Sequence, residues 1–156
     1  MNMIIYRGSA EIARQPEIRT GRFHKDFGDG FYCTRLETQA KRRALRNGNG
    51  NGYVNVYDYT PDPSLRIKRF AEVTDEWLDF VANCRNGMSH GYDIVEGPMA
   101  DDKIFNYVEN YMQGQISREA FMALAKFNRP THQILFHTDK ALRTLTFLEA
   151  RLARAK

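Results

Sequence analysis

Three separated segments carry the residue types with the most chemical scope. They are Ile4-Ile5-Tyr6-Arg7-Gly8-Ser9, Asp26-Phe27-Gly28-Asp29-Gly30-Phe31-Tyr32-Cys33-Thr34 and Thr131-His132-Gln133-Ile134-Leu135-Phe136-His137-Thr138. Each sets a polar or aromatic side chain at a strand end or beside glycines, whose missing Cβ lets a ligand approach the backbone closely. Taken singly, each is equally a tight turn beside a core strand.

Other groupings are weaker. His24, His90, His132 and His137 show no HxxxH or HxH spacing, and Cys33 and Cys84 lie far apart, so no metal site is expected. In an extended segment His132 and His137 point to opposite faces. Carboxylates gather at Glu96, Asp101, Asp102 and Glu109. Asp101 and Asp102 suit a hard divalent ion, and equally suit a helix start, where they complement its positive end. Arg35, Lys41, Arg42, Arg43 and Arg46 form a basic run, and Arg151, Arg154 and Lys156 crowd the last residues. Such a run contacts a phosphate backbone in some proteins and is a solvated helix face in more.

The elements that must position these residues follow from periodicity and punctuation. Strands are expected at Asn2–Tyr6, Gly30–Thr34, Tyr53–Tyr59, Leu65–Phe70, Tyr92–Val95 and Gln133–His137. Tyr53–Tyr59 and Leu65–Phe70 are expected to be joined by a turn at Pro61 and Pro63, and Gly97-Pro98 to end a strand. Arg14–Gly28 reads as a long loop and Asn47–Gly52 as a turn. Thr34 and Glu37 have capping-box spacing for a helix from about Leu36 to Arg46. Trp77, Phe80, Val81 and Cys84 mark a second helix behind Thr74 and Asp75. Ile104, Tyr107, Val108 and Tyr111 mark a third, Ser117 caps a fourth, and a short helix near Lys140–Leu145 precedes a final strand or helix. Strands dominate the first half and helices enter in the second, which is an α+β chain.

Composition bounds the rest. A chain of 156 residues with 42% hydrophobic and 27% charged residues is read as one globular domain, residues 1–156, rather than a disordered one. No apolar run approaches the roughly 18 residues of a spanning helix, and no export leader is visible at the start. Two cysteines make no disulfide framework, so a reducing cytoplasm is the expected compartment. The net charge of +4 favours anionic partners, nucleic acid and dinucleotides among them.

Read together, the three segments resemble the ADP-ribosyltransferase superfamily, particularly its diphtheria-toxin-like and poly(ADP-ribose)-polymerase-like branch. That branch carries His-Gly on its first strand, Gly-x-Gly-x-Tyr on a later strand and a Glu near its last strands. Here these are Arg7-Gly8, Gly28-Asp29-Gly30-Phe31-Tyr32 and Gln133. Over nearly its full length the chain also resembles a bacterial family assigned to that superfamily. The shared stretches are Tyr92–Pro98 followed by Ala100–Lys103, the Trp77–Phe80 helix segment and Gln133–Lys140.

The resemblance implies a split β-sheet core with peripheral helices, and NAD as substrate with no metal. It implies that Arg7 braces a ribose or phosphate in place of the histidine, through its planar donor fork. The Gly8 backbone would hold the nicotinamide carboxamide beside Ser9, and the Tyr32 ring would stack on nicotinamide, flanked by Gly30 and Phe31. The helix after Tyr32 lacks the second aromatic of polymerase-like relatives, so Phe23 or Phe27 is expected to cover the ring. Gln133 stands where the catalytic glutamate is placed; its amide bonds a ribose hydroxyl but is no general base at neutral pH. Asp101 and Asp102 become candidates for that help, and Arg19, Arg22 and Lys25 for phosphate contacts. The implied activity is transfer of ADP-ribose from NAD to a protein or nucleic acid, by an intracellular toxin restrained by a small cognate antitoxin. Two other readings stay open: an NAD- or partner-binding module of the same fold without catalysis, and a metal-dependent nuclease using Asp101 and Asp102.

Overall fold

The computed structural model describes residues 2–18, 26–99, 102–126 and 131–154. Arg19, Arg22, Phe23, His24, Lys25, Ala100, Asp101 and Lys156 lie outside the described residues. In chain order the elements are β1 (Met3–Ser9), β2 (Phe31–Cys33), α1 (Glu37–Asn47), β3 (Asn51–Tyr59), β4 (Ile67–Arg69), α2 (Asp75–Arg85), β5 (Ile94–Met99), α3 (Asp102–Met112), α4 (Arg118–Ala125), β6 (Thr131–Phe136), α5 (Asp139–Leu142) and β7 (Leu145–Arg154).

The strands form two sheets, one ordered β1-β3-β7 and one ordered β2-β6-β5-β4. β3 pairs antiparallel with both neighbours and is covered on both faces, which is why Val54, Asn55, Val56 and Tyr57 are all buried rather than alternating. Between the sheets, Ile5, Tyr57 and Tyr59 meet Phe31, Ile134 and Phe136. On the far face of the four-stranded sheet, Val95 and Leu135 meet Trp77, Val81, Ile104, Val108 and Phe121 of α2, α3 and α4. On the far face of the three-stranded sheet, α1 packs through Ala40 and Ala44 against Val54 and Ala153. The layers thus run helix, sheet, sheet, helices, and side chains of β5 and β6 alternate between two cores as the period of two requires.

Several elements differ from the sequence expectation. β1 runs on through Arg7-Gly8-Ser9, because Arg7 pairs with Asn55 and Ser9 with Tyr53. β3 begins inside the expected Asn-Gly turn, pairing Asn51 with Arg154. β4 does not return alongside β3; it joins the other sheet and pairs parallel with β5. A parallel pair needs a crossover, and α2 supplies it. β5 does not stop at Gly97-Pro98 but continues to Met99, with Pro98 opposite His132. At α1 the N-cap is Leu36, and Thr34 Oγ1 accepts from Leu36 N at 3.1 Å instead of completing a capping box. Thr74 and Ser117 do cap α2 and α4 as expected. The last element is a strand, with a bulge where Val56 faces Glu149 and Tyr57 faces Phe147.

Candidate functional site

The two sheets are joined along β1 and β2 by an isolated bridge. Tyr6 N donates to Thr34 O and Thr34 N to Tyr6 O, both at 2.8 Å. Beyond it the strands part. Backbone groups of residues two apart in a strand point the same way, so Gly8, like Tyr6, turns its amide and carbonyl toward the gap. A cleft of about 20 Å³ opens there, lined by Tyr6, Arg7 and Gly8 of β1, Tyr32, Cys33 and Thr34 at β2, Gln39, Ala40 and Arg43 of α1, and Gln133 of β6. That enclosed volume matches a water-sized group. Any larger ligand must therefore rest across the mouth or enter as side chains move.

Four expected site residues meet in this cleft: Arg7, Gly8, Tyr32 and Gln133. Arg7 Nη1 donates to Tyr32 O at 2.8 Å, and its guanidinium carbon lies 4.4 Å over the Phe31 ring. Gly8 has a packing reason as well as a place in the cleft. A Cβ there would lie 1.9 Å from Ala40 O, so only glycine lets α1 approach β1 this closely. The Tyr32 hydroxyl donates to Gly28 O at 2.5 Å and accepts from Phe27 N at 3.2 Å. Burial raises its pKa well above the usual tyrosine range, so it stays protonated, and its side chain packs against the core cluster that includes Phe27 and Leu135. Gln133 is 3% exposed, and its amide Nε2 has no hydrogen-bond partner among the described residues. A buried donor left unsatisfied is destabilising by about 1–3 kcal/mol, which a ligand acceptor would recover.

The other expected residues lie elsewhere. Ser9 is buried at the far end of β1, donating to Glu11 O and accepting from Asn55 Nδ2. Phe31 is fully buried between the sheets, edge-on to Tyr57. Gly30 passes so near β6 that a Cβ would lie 2.4 Å from Phe136 O. Phe27 is a core residue against Phe70 and Phe80 and does not cover the cleft. Tyr6 is the aromatic that joins Tyr32 in the lining.

The sequence reading gives Tyr6, Thr34 and Gln39 no ligand role, and gives Arg43 one only as part of the basic run that could contact a phosphate backbone. The signal for two of them is the small-residue stripe Ala40 and Ala44, which marks the buried face of α1; Arg43 and Gln39 flank it. Arg43 is half-buried, and burial, then repulsion from Arg46, lowers its pKa. Gln39 grips the β6 backbone: its Oε1 accepts from His132 N at 2.8 Å and its Nε2 donates to His132 O. Cys33 offers no ready nucleophile, since burial pushes its thiol up to about 12 against the pull of Arg7.

Of the four carboxylates expected to gather, Glu96 and Glu109 bind different partners, and the side chains of Asp101 and Asp102 lie outside what the structure describes. Glu96 binds Arg35 and His132, whereas Glu109 binds Arg85. Among the described residues no three His, Cys, Asp or Glu side chains cluster in a way that could hold a metal ion. No helix among them is long and apolar enough to cross a membrane.

Residues 3–147 match a family described as "Protein of unknown function (DUF3990)". The chain belongs to this family. The match spans β1 to the start of β7 and so includes every residue that lines the cleft. No curated protein matches the chain.

Proposed function

We propose that this member of the family is an NAD-dependent ADP-ribosyltransferase whose two-sheet core is of the ADP-ribosyltransferase-like split kind. The observation that carries the reading is convergence. Arg7, Gly8, Tyr32 and Gln133 come from three distant stretches of chain and line one cleft where the sheets part. The lining suits the ligand chemically. Two guanidiniums, Arg7 and Arg43, and two primary amides, Gln39 and Gln133, present donors to phosphates, ribose hydroxyls and a carboxamide oxygen. The Tyr32 ring offers a face for a flat heterocycle. The unsatisfied Gln133 Nε2 is a donor held ready inside the cleft. In this reading the residues hold and orient the dinucleotide with its anomeric carbon exposed, and the acceptor is a protein or a nucleic acid.

The test is release of labelled nicotinamide from NAD by purified protein, alone and with bacterial lysate, comparing wild type with Tyr32→Ala and Gln133→Ala after a folding check. Release that both substitutions abolish, with label from the adenylate half moving to a macromolecule, supports the transferase. Binding of NAD without release by wild type supports the inactive binding module, which the amide at position 133 favours. Absence of NAD binding removes both. The toxin aspect is tested by induced expression: growth arrest that Gln133→Ala relieves, and that a small cognate antitoxin suppresses, is the expected result.

A further inference from the structure

A transferase built on Gln133 lacks a proton acceptor at that residue, since an amide takes no proton at neutral pH. Another group of the cleft is hydrogen-bonded toward an imidazole. Thr34 lines the cleft beside Gln133. Thr34 Oγ1 accepts from Leu36 N at 3.1 Å, and its nearest imidazole atom is His132 Nδ1 at 3.5 Å. Arg35 N also donates to that Nδ1, at 3.4 Å. A nitrogen receiving a backbone N–H is an acceptor, so the His132 proton sits on Nε2 and is donated to Glu96 Oε2 at 2.8 Å. Nδ1 has one lone pair, which the Arg35 N–H and the Thr34 hydroxyl share at 3.4 and 3.5 Å, and one oxygen lone pair of Thr34 remains for a proton arriving from the cleft.

The far end of this chain is held rigidly. Glu96 takes both ends of the Arg35 guanidinium, one at 2.9 Å. Burial alone would raise the Glu96 carboxyl; hydrogen bonds from Arg35 and then His132, with their charges, override it and hold it at about 2. It is therefore an anion throughout the working pH range, facing an imidazole on which positive charge would develop. The Gln39 amide fixes His132 from the backbone side. The groups facing the imidazole and its carboxylate are Arg35 before α1, Glu96 on β5, Arg69 on β4 with its Nε 3.6 Å from Glu96, and the Tyr59 hydroxyl on β3. His132 is partly exposed at its outer side, so a proton it gains can leave to solvent.

We propose that Thr34, backed by His132 and Glu96, accepts the acceptor's proton in this cleft and so supplies the base that Gln133 is not. The inference rests on the transferase reading above. As the acceptor oxygen bonds the anomeric carbon, the carbon–nitrogen bond to nicotinamide breaks and its electron pair leaves with nicotinamide. The acceptor proton passes to Thr34 Oγ1, and the Thr34 proton passes to His132 Nδ1, which at that moment gives up its hydrogen bond from Arg35 N. The imidazolium formed is opposed by the Glu96 carboxylate and returns its proton to water. Thr34 is the group in contact with the reactants; His132 acts through it as a positioning residue.

The experiment measures nicotinamide release from NAD, with water as acceptor, across pH 5 to 9. Wild type, Thr34→Val, Thr34→Ser and His132→Asn are compared after thermal melts establish folding. The relay predicts that Thr34→Val and His132→Asn lose roughly 10²-fold in kcat, keep KM, and share one pH profile that differs from that of wild type. Thr34→Ser, which keeps the hydroxyl, restores both rate and profile. Release by Thr34→Val at the wild-type rate with the wild-type pH profile overturns the relay and leaves the transferase reading standing. Failure of wild type to release any nicotinamide overturns both.

Discussion

Removing the Arg85 cation should reveal how strongly the segment before β2 is held. Its side chain is 3% exposed at the end of α2. Its Nε and Nη2 donate to Asp26 Oδ1 at 2.9 and 2.6 Å, and its Nη1 donates to Phe105 O at 3.2 Å and Glu109 Oε1 at 3.1 Å. Its guanidinium carbon also lies 4.1 Å over the Phe105 ring. Arg85→Met keeps the apolar stem and most of the volume, so the loss isolates the charge. Asp26 is 12% exposed and would lose the guanidinium that faces it, while Glu109, at 37%, can turn to water. Removing one partner of a buried pair destabilises by about 3–5 kcal/mol, and the relief open to Glu109 places this variant near the lower figure. With a urea slope of about 2 kcal/mol/M, the unfolding midpoint falls by about 1.5 M. Circular dichroism against urea at pH 7 reads it. Adding Asp26→Asn should recover part of the loss, because the carboxylate that faced the guanidinium is then neutral. Arg118, whose pairs with Asp75 and Asp79 are exposed, is the control. A midpoint for Arg85→Met no lower than that of Arg118→Met would refute the reasoning.

Three further outcomes are expected. Gln133→Glu places a carboxylate beside Arg7 and Arg43 in the cleft, and nicotinamide release should rise by roughly 10²-fold, read in the same assay. Gly8→Ala brings a Cβ to 1.9 Å from Ala40 O where ordinary contact begins at 3.4 Å, so α1 must back away by about 1.5 Å. The substitution should destabilise by about 1–3 kcal/mol in urea titration and abolish NAD binding in calorimetry, since Gln39 and Arg43 move with the helix. Glu96 has a folded pKa of about 2 against an ordinary 4.5, so the stability it lends is complete above the unfolded value and is lost as pH falls from about 4.5 to about 2. Glu96→Gln should flatten the acid side of a plot of melting temperature against pH.

What sequence disclosed and what it hid divide along local and non-local lines. Thr74 and Ser117 announce their helices because a cap is a bond between residues three apart. Gln133, Leu135 and their neighbours read as a strand because β-branched and aromatic runs are local as well. The partner of β4 was hidden, since Pro61 and Pro63 specify a turn but not the sheet that follows. β1 was cut short at Tyr6 because Arg7-Gly8-Ser9 has no strand-like character; its pairing is imposed by β3. In the cleft, Arg7, Tyr32 and Gln133 were visible as a pattern of residue types. Thr34 was not, and Arg43 only as one member of a basic run with no tie to the other three, because a threonine before a helix has an ordinary local explanation and only packing brings both to the cleft.

The pairing scheme also fixes the order in which the molecule can become competent. β2 is three residues long and pairs with β6, far downstream, while the central β3 waits for β7. A ribosome-bound chain that has displayed Arg7, Tyr32 and Arg43 has nothing yet to bring Gln133 to them. Closing so long a loop is entropically slow, so the cleft is among the last features to form. Synthesis therefore carries its own delay: a nascent or truncated chain presents the parts of the site but not the site.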